Sequence, residues 1–357
     1  MSAKRPKILV IEPAGGLWGS ERALLDLIDS APQLEFAVCC PAGTPLVQEL
    51  ERRGVRVLPF LIERLHQKPR WYRAIAALAI VLACIIARPR TIHLNQSGVY
   101  RLCLPAARLL GLQMVCHVRI FEDAAYLAAC RPRPSELKAI IAISRAIEDE
   151  LARFEALSAI PVARIYDAYV SDEGEATLPG KRDPKIVCVG RIVPIKGQDV
   201  LVRAMQQKDI MRADAECLIA GDGLPEYVSE LQAIGGDRVR WLGFLSRPSA
   251  LLAQCTILAC PSHREPLGRV IFEAWSAGAI PVVYAGSGGA AEVVSASGGG
   301  VVYTEQTPRG LAEGLTTALN LPRHEAARMI ANGRAWLDQN CAPRPYGEAV
   351  AEVLCGP

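Results

Sequence analysis

Aromatic side chains are scarce in this 357-residue chain, at 6%, and no two of its twelve cysteines stand at the Cys-x-x-Cys spacing. The first shortage, beside 51% hydrophobic residues, leaves a core to be built from Ala, Leu, Ile and Val, as in α/β proteins. The second argues against metal ligation or a disulfide frame. Cys84, Cys188, Cys217 and Cys260 lie inside apolar runs and read as reduced core residues of a cytosolic protein. A secretory leader is not legible, because the start, Met-Ser-Ala-Lys-Arg-Pro-Lys, leads into a short strand and then glycines. A bilayer span is also missing. The longest apolar run, residues 74–87, is fourteen long, about six residues short of one. No RNA- or DNA-binding motif occurs.

Charge is unevenly spread. Residues 1–170 hold 22 Lys+Arg against 16 Asp+Glu, which leaves 18 against 21 of the totals 40 and 37 for residues 171–357. A basic first half can meet a membrane surface or a phosphorylated ligand. The apolar run 74–87 is flanked by Lys68, Arg70, Trp71, Tyr72 and Arg73 before it and by Arg88 and Arg90 after it. It reads either as a core helix over a sheet or as an interfacial helix whose belt sits among lipid headgroups, a peripheral membrane contact through 68–90.

What is present is alternation. Short apolar runs and helical periodicities alternate along nearly the whole chain, which is long enough for two domains of ordinary size. Gly, Pro and charged residues gather over 157–184, so the division is placed there: 1–170, 171–340 and a helical tail, 341–357. A first strand, 7–13, leads into Gly15-Gly16-Leu-Trp-Gly19-Ser20 and a helix over 21–30. This opens a nucleotide-binding-type unit without the dinucleotide fingerprint, and the loop reads as an acceptor contact or as a tight turn. A later strand, 114–118, carries His117 at its carboxyl end, where open α/β sheets bind ligands, although a lone histidine is as often structural.

In the second half, Gly190-Arg191-Ile-Val-Pro-Ile-Lys196-Gly197 follows a strand. Arg191 offers a planar fork and Lys196 a mobile point charge, so the loop can clamp a diphosphate. Further on, a strand at 256–260 ends in Pro-Ser-His-Arg-Glu265-Pro-Leu-Gly268, and a helix runs to Gly278 with Glu273 inside it. Eight residues are about 2.2 turns, which brings Glu273 near the face of Glu265 with unpaired helix N–H groups between them. Phosphates can take those donors while carboxylates accept from hydroxyls, and a nucleotide-sugar has both.

Together, Gly190-Arg191…Lys196-Gly197, Gly221-Asp222-Gly223, Trp241-Leu242-Gly243, Pro261-Ser262-x-x-Glu265-Pro-Leu-Gly268…Glu273-Ala274 and Gly278-x-x-Pro281-Val282-Val283 resemble the retaining GT-B glycosyltransferases of family 4. The opening glycines with Glu21-Arg22, Cys116-His117-Val118-Arg119 and Ala142-Ile143-Ser144 are similar to that family's first half. The resemblance implies an α/β GT-B fold, two Rossmann-like domains with parallel sheets facing a central cleft. It implies a hexosyltransferase that moves a sugar from a UDP- or GDP-sugar to a polysaccharide or lipid-linked glycan precursor. Retention of configuration, no metal, no further cofactor, no nucleic acid and a place at the cytoplasmic face of a membrane go with it.

Catalysis would rest on Glu265, His117, Arg191 and Lys196, with His117 reaching the sugar from the first domain. The donor would be held by Arg191, Lys196, Gly190, Gly221, Gly243, Leu267, Gly268 and Glu273, the last on the ribose. Gly15, Gly16 and Ser20 would border the acceptor. The family's Asn-Gly-Val-Asp-like sequence is replaced here by Ile165-Tyr166-Asp167-Ala168-Tyr169-Val170, which puts contacts from that loop aside. Two other functions fit the same motifs: a sugar-nucleotide epimerase of this fold, and a non-catalytic nucleotide-sugar-binding subunit that regulates a partner.

Overall fold

The computed structural model describes residues 5–60, 70–170, 184–245 and 248–356. The chain forms two compact units, residues 1–168 with 341–357 and residues 169–340. Two stretches named above fall partly outside the described residues: Lys68 in the basic flank, and 171–183 at the division between domains.

The first unit runs β1 (Lys7–Ile11), α1 (Gly19–Ser30), β2 (Glu35–Pro41), α2 (Pro45–Arg52), β3 (Arg56–Phe60), α3 (Arg70–Ala87), β4 (Thr91–Leu94), α4 (Tyr100–Leu110), β5 (Gln113–Val118), α5 (Phe121–Cys130), β6 (Leu137–Ala142), α6 (Arg145–Ala152) and β7 (Val162–Arg164). Its strands form one parallel sheet in the order β3-β2-β1-β4-β5-β6-β7. Strands covered on both faces need unbroken apolar sequence, as in Lys-Ile-Leu-Val-Ile of β1. The order reverses between β1 and β4, and such a reversal opens a crevice at the strands' carboxyl ends. β1 stops at Ile11, two residues sooner than its apolar character suggests. The Glu12 amide still bonds to the Cys39 carbonyl, but the Glu12 side chain turns into a polar cluster and Pro13 has no amide to continue the ladder.

The run 74–87 lies in α3, which has one buried and one exposed apolar side. Ala76, Ile80, Ala83, Cys84 and Ala87 are buried, while Trp71, Ile75, Leu78, Leu82, Ile85 and Ile86 are exposed. No helix among the described residues is long and apolar enough to cross a membrane.

The second unit runs β8 (Lys185–Val189), α7 (Gln198–Ala204), α8 (Lys208–Arg212), β9 (Glu216–Ala220), α9 (Pro225–Gly235), β10 (Val239–Gly243), α10 (Ser249–Leu252), β11 (Ile257–Cys260), α11 (Arg269–Ala277), β12 (Ile280–Tyr284), α12 (Gly289–Ser297), β13 (Val301–Tyr303), α13 (Pro308–Leu319) and α14 (Arg323–Asn340). Its parallel sheet has the order β10-β9-β8-β11-β12-β13, with the reversal between β8 and β11. Trp275 of α11 is fully buried, donates to the Gly299 carbonyl at 2.7 Å and stacks on Phe272 at 6.0 Å between ring centroids. That packing holds α11 against the sheet.

The last helix, α15 (Pro343–Cys355), belongs to the first unit. Tyr346, Val350 and Leu354 join Leu24 and Leu27 in one core. A Cβ at Gly347 would lie 1.9 Å from the Ser30 carbonyl oxygen, so only glycine permits α15 to approach α1 this closely. Thr91 donates to the Leu354 carbonyl at 2.8 Å and Arg90 to that of Cys355 at 2.8 Å. The stretch that reads as a tail is a core helix. All twelve cysteines are free, and all are buried except the half-buried Cys130 and Cys355.

Candidate active site

The second unit gathers its motifs at the carboxyl ends of β8, β9 and β11. Gly190 and Gly221 touch back to back: a Cβ on Gly221 would sit 1.8 Å from the Gly190 carbonyl oxygen. Gly190 and Gly221 pair onward, the first donating to Ala220 at 3.0 Å and the second to Gly243 at 2.8 Å. Three of the glycines expected at the donor are thus joined by backbone contacts. The loop after β8 makes a 3₁₀ turn, Pro194–Lys196, and leaves it through Gly197 in the left-handed region, where a Cβ would meet the Pro261 carbonyl oxygen at 2.1 Å. This loop therefore packs against the loop after β11, and His263 donates to the Ile195 carbonyl at 2.9 Å across the same contact.

That packing brings Lys196 to Glu265. The Lys196 ammonium lies 2.6 Å from Glu265 Oε2, and the Ser262 hydroxyl donates to the same oxygen at 3.1 Å. Burial works against the charge of Lys196, but the carboxylate outweighs it, so the lysine pKa is raised. The Arg191 charge acts in the opposite sense on Lys196, which puts two cations in one field. Arg191 itself is exposed.

Glu265 is held by its backbone. Its amide donates to Ser287 at 2.6 Å and its carbonyl accepts from Gly289 at 2.8 Å, a parallel bridge to the loop after β12. It therefore stands in a loop, before Gly268 caps α11, and helical periodicity does not relate it to Glu273. The expectation of a shared helical face is corrected on this point: the bridge, and not the 2.2-turn spacing, sets where Glu265 lies. Glu273 is half-buried in α11 and Leu267 is buried. Gly268 has φ +82° and carries the start of the helix, where backbone N–H groups lack intrahelical partners.

In the first unit, Gly15 and Gly16 follow β1, and Ser20 opens α1. Around them lies a cluster that sequence reasoning missed. Glu12, wholly buried, accepts from the Ala14 amide at 2.8 Å, from Gln96 at 2.9 Å and from Asn95. Ser20 donates to Glu21 at 2.9 Å and accepts from Gln96 at 3.3 Å. Burial, and secondarily the Glu21 charge, push the Glu12 pKa from 4.5 up to about 7. The signal was a lone acid directly after an apolar strand, at the crevice between β1 and β4.

His117 differs from expectation. It is wholly buried, its Nδ1 is 2.7 Å from His93 Nε2, and its own Nε2 has no hydrogen-bond partner among the described residues. Burial and then the Arg119 charge lower both histidines, His93 to about 3. Both are neutral at physiological pH, and one of the two facing nitrogens donates to the other. Arg119 beyond them is clamped by Asp167 at 2.6 and 2.7 Å and by Asn95. Asp167, in the loop that lacks the Asn-Gly pair, thus acts as a buried ion-pair partner.

Residues 172–336 match the family described as glycosyl transferases group 1. Among relatives, a GDP-mannose-dependent monoacylated alpha-(1-6)-phosphatidylinositol monomannoside mannosyltransferase of Corynebacterium glutamicum is 37% identical over 183 residues, covering 48% of this chain and 47% of that protein. The chain spans about half the length of the curated relatives it matches. Among solved structures, Anabaena HepE in complex with UDP and glucose aligns with TM-score 0.82 at 21% identity, over 99% of this chain and 100% of that one. A glycosyltransferase from Rickettsia africae aligns with TM-score 0.78 at 17% identity, over 99% and 100%. The match to the glycosyl transferases group 1 covers residues 172–336 of the chain, and the two parallel-sheet units have the GT-B fold.

Proposed function

We propose that the chain is a retaining hexosyltransferase that moves a sugar from a UDP- or GDP-sugar to a polysaccharide or lipid-linked glycan precursor at the cytoplasmic face of a membrane. The observation that carries this reading is the pair of cations, Arg191 and Lys196, beside a glycine-joined sheet edge and the start of α11. Such an array suits a leaving diphosphate: the cations offset its developing charge without a metal, and the backbone N–H groups of Leu267 and Gly268 add donors. Gly190, Gly221 and Gly243 permit close approach of the donor. Glu273 accepts from the ribose hydroxyls.

Glu265 orients the hydroxyls of the transferred sugar. In the transfer, the C1–oxygen bond to the diphosphate breaks and the acceptor oxygen bonds to C1 on the same face. The acceptor proton passes to the departing diphosphate oxygen. Gly15, Gly16 and Ser20 border the acceptor, with Gln96, itself bonded to Glu12, donating to the Ser20 hydroxyl. His117, buried against His93, is assigned a positioning role at the end of β5. The names of the relatives support the donor class: one is named for GDP-mannose, and the HepE structure holds UDP and glucose.

Slow hydrolysis of the preferred donor, found by a thermal-shift screen over UDP-, GDP-, ADP- and TDP-sugars, tests the site. Lys196→Ala and Glu273→Ala should each lower it by about a hundredfold while both variants melt cooperatively. Undiminished turnover in both sinks the assignment. Interconversion of donor sugars without acceptor would indicate the epimerase instead.

A further inference from the structure

Between Glu63 and Glu122 the chain contains no aspartate or glutamate. Two neighbouring helices, α3 and α4, lie in this stretch and pack on each other. On α3 the outward face is apolar: Trp71 is 64% exposed, Ile75 55%, Leu78 58%, Leu82 50%, Ile85 51% and Ile86 54%. Steps of three and four residues make these one stripe along the helix. At its end α4 adds Leu109, 74% exposed, and Leu110. None of this serves the core, which α3 meets through Ala76, Ile80 and Ala83 on its other side. A continuous apolar stripe facing water marks an interaction surface.

The charges select the partner. Arg73 and Arg88 are exposed near the two ends of the stripe, Arg101 is exposed on α4, and residues 64–121 supply no carboxylate to offset them. A second copy docking by the same face would bring arginine toward arginine. A phospholipid surface answers both features, with acyl chains for the stripe and phosphates for the guanidinium groups. Trp71 stands at the stripe's start, where an indole suits the headgroup level. At 18 residues, α3 is about 27 Å long, enough to present the whole stripe to a flat surface.

We propose that α3, with the end of α4, is a docking face for an anionic phospholipid bilayer. This deepens the reading above by naming the membrane contact of an enzyme with a membrane-bound acceptor, but the binding itself needs no transfer step. The test is sedimentation of the full chain with phosphatidylcholine vesicles that contain or lack phosphatidylglycerol. Binding to the mixed vesicles, weakened by salt, is expected.

Leu78→Ser with Leu82→Ser, and separately Arg73→Glu with Arg88→Glu, should each weaken binding at least about tenfold. Vesicles should also shift the wild-type tryptophan emission to the blue, and Trp71→Phe should lose that shift. Unchanged melting temperature and donor-induced thermal shift establish that the variants are folded. The proposal is overturned by absence of binding at low salt, by variants that bind like wild type, or by a wild-type dimer that Leu78→Ser with Leu82→Ser converts to monomer. Lost donor hydrolysis with vesicle binding intact would remove the transfer reading and leave this one standing.

Discussion

Lys196 and Glu265, 69 positions apart in sequence, meet at 2.6 Å because Gly197 lets the loop after β8 lie against Pro261. The ammonium expected to neutralise a diphosphate is therefore already engaged by a carboxylate. A diphosphate must compete with Glu265 for it, and Glu265→Gln should raise the affinity for UDP or GDP alone about threefold to tenfold while donor hydrolysis falls. Calorimetric titration of both proteins decides this; equal affinities would show that no such competition exists. Lys196→Ala strands the mostly buried carboxylate and should lower unfolding stability by about 2 kcal/mol in urea.

Stability should depend on pH through two buried groups of opposite sign. Glu12, raised from 4.5 to about 7, holds its proton in the folded state where the unfolded chain has lost it. Its contribution is fully present below the unfolded value and lost as pH rises through about 7, on the order of 3 kcal/mol. Glu12→Gln should match wild type near pH 4 and exceed it by a few kcal/mol near pH 8.

The histidine pair behaves conversely. His93, lowered from 6.5 to about 3, stays neutral where the unfolded chain is protonated, so its contribution is present above the unfolded value and lost as pH falls toward the folded one. His93→Gln should flatten the acid side of the curve. Urea titrations across this range read both slopes, and parallel profiles for wild type and variants would contradict the assignments.

Removing residues 341–357 should abolish soluble folding of the first unit. The deletion uncovers Leu24, Leu27 and their neighbours, which α15 buries with Tyr346, Val350 and Leu354. A milder probe, Leu354→Ala, should cost about 2–4 kcal/mol, measured by denaturant unfolding; a cost under about 0.5 kcal/mol would mean that α15 is not part of the cooperative core.

The alternation of strand and helix was legible because doubly covered parallel strands must be unbroken apolar runs, as in β1 and β11. α5 was not read: Phe-Glu-Asp-Ala-Ala-Tyr-Leu-Ala-Ala-Cys has little contrast between faces, and periodicity needs contrast. The ambiguity of residues 74–87 was genuine in the sequence, since α3 is apolar on both its buried and its exposed sides. Arg191, Lys196, Glu265 and Glu273 stood out because they fall in an ordered series of motifs that together resemble one family, which no single motif among them would have done. Asn95 and Asp167 did not, because a buried polar side chain is recognised by what surrounds it, and for Glu12 the one local signal was its place directly after β1.

By itself the sequence determined two parallel α/β units, the glycine positions at their strand ends and the charges offered there, all properties of local pattern. Tertiary structure alone decided that Lys196 pairs with Glu265, that His117 is sealed against His93, and that the last helix returns to the first unit. Each of these depends on close approach between segments distant in the chain, through Gly197 for the first, the pairing of β4 with β5 for the second and Gly347 for the third, and no local pattern encodes it.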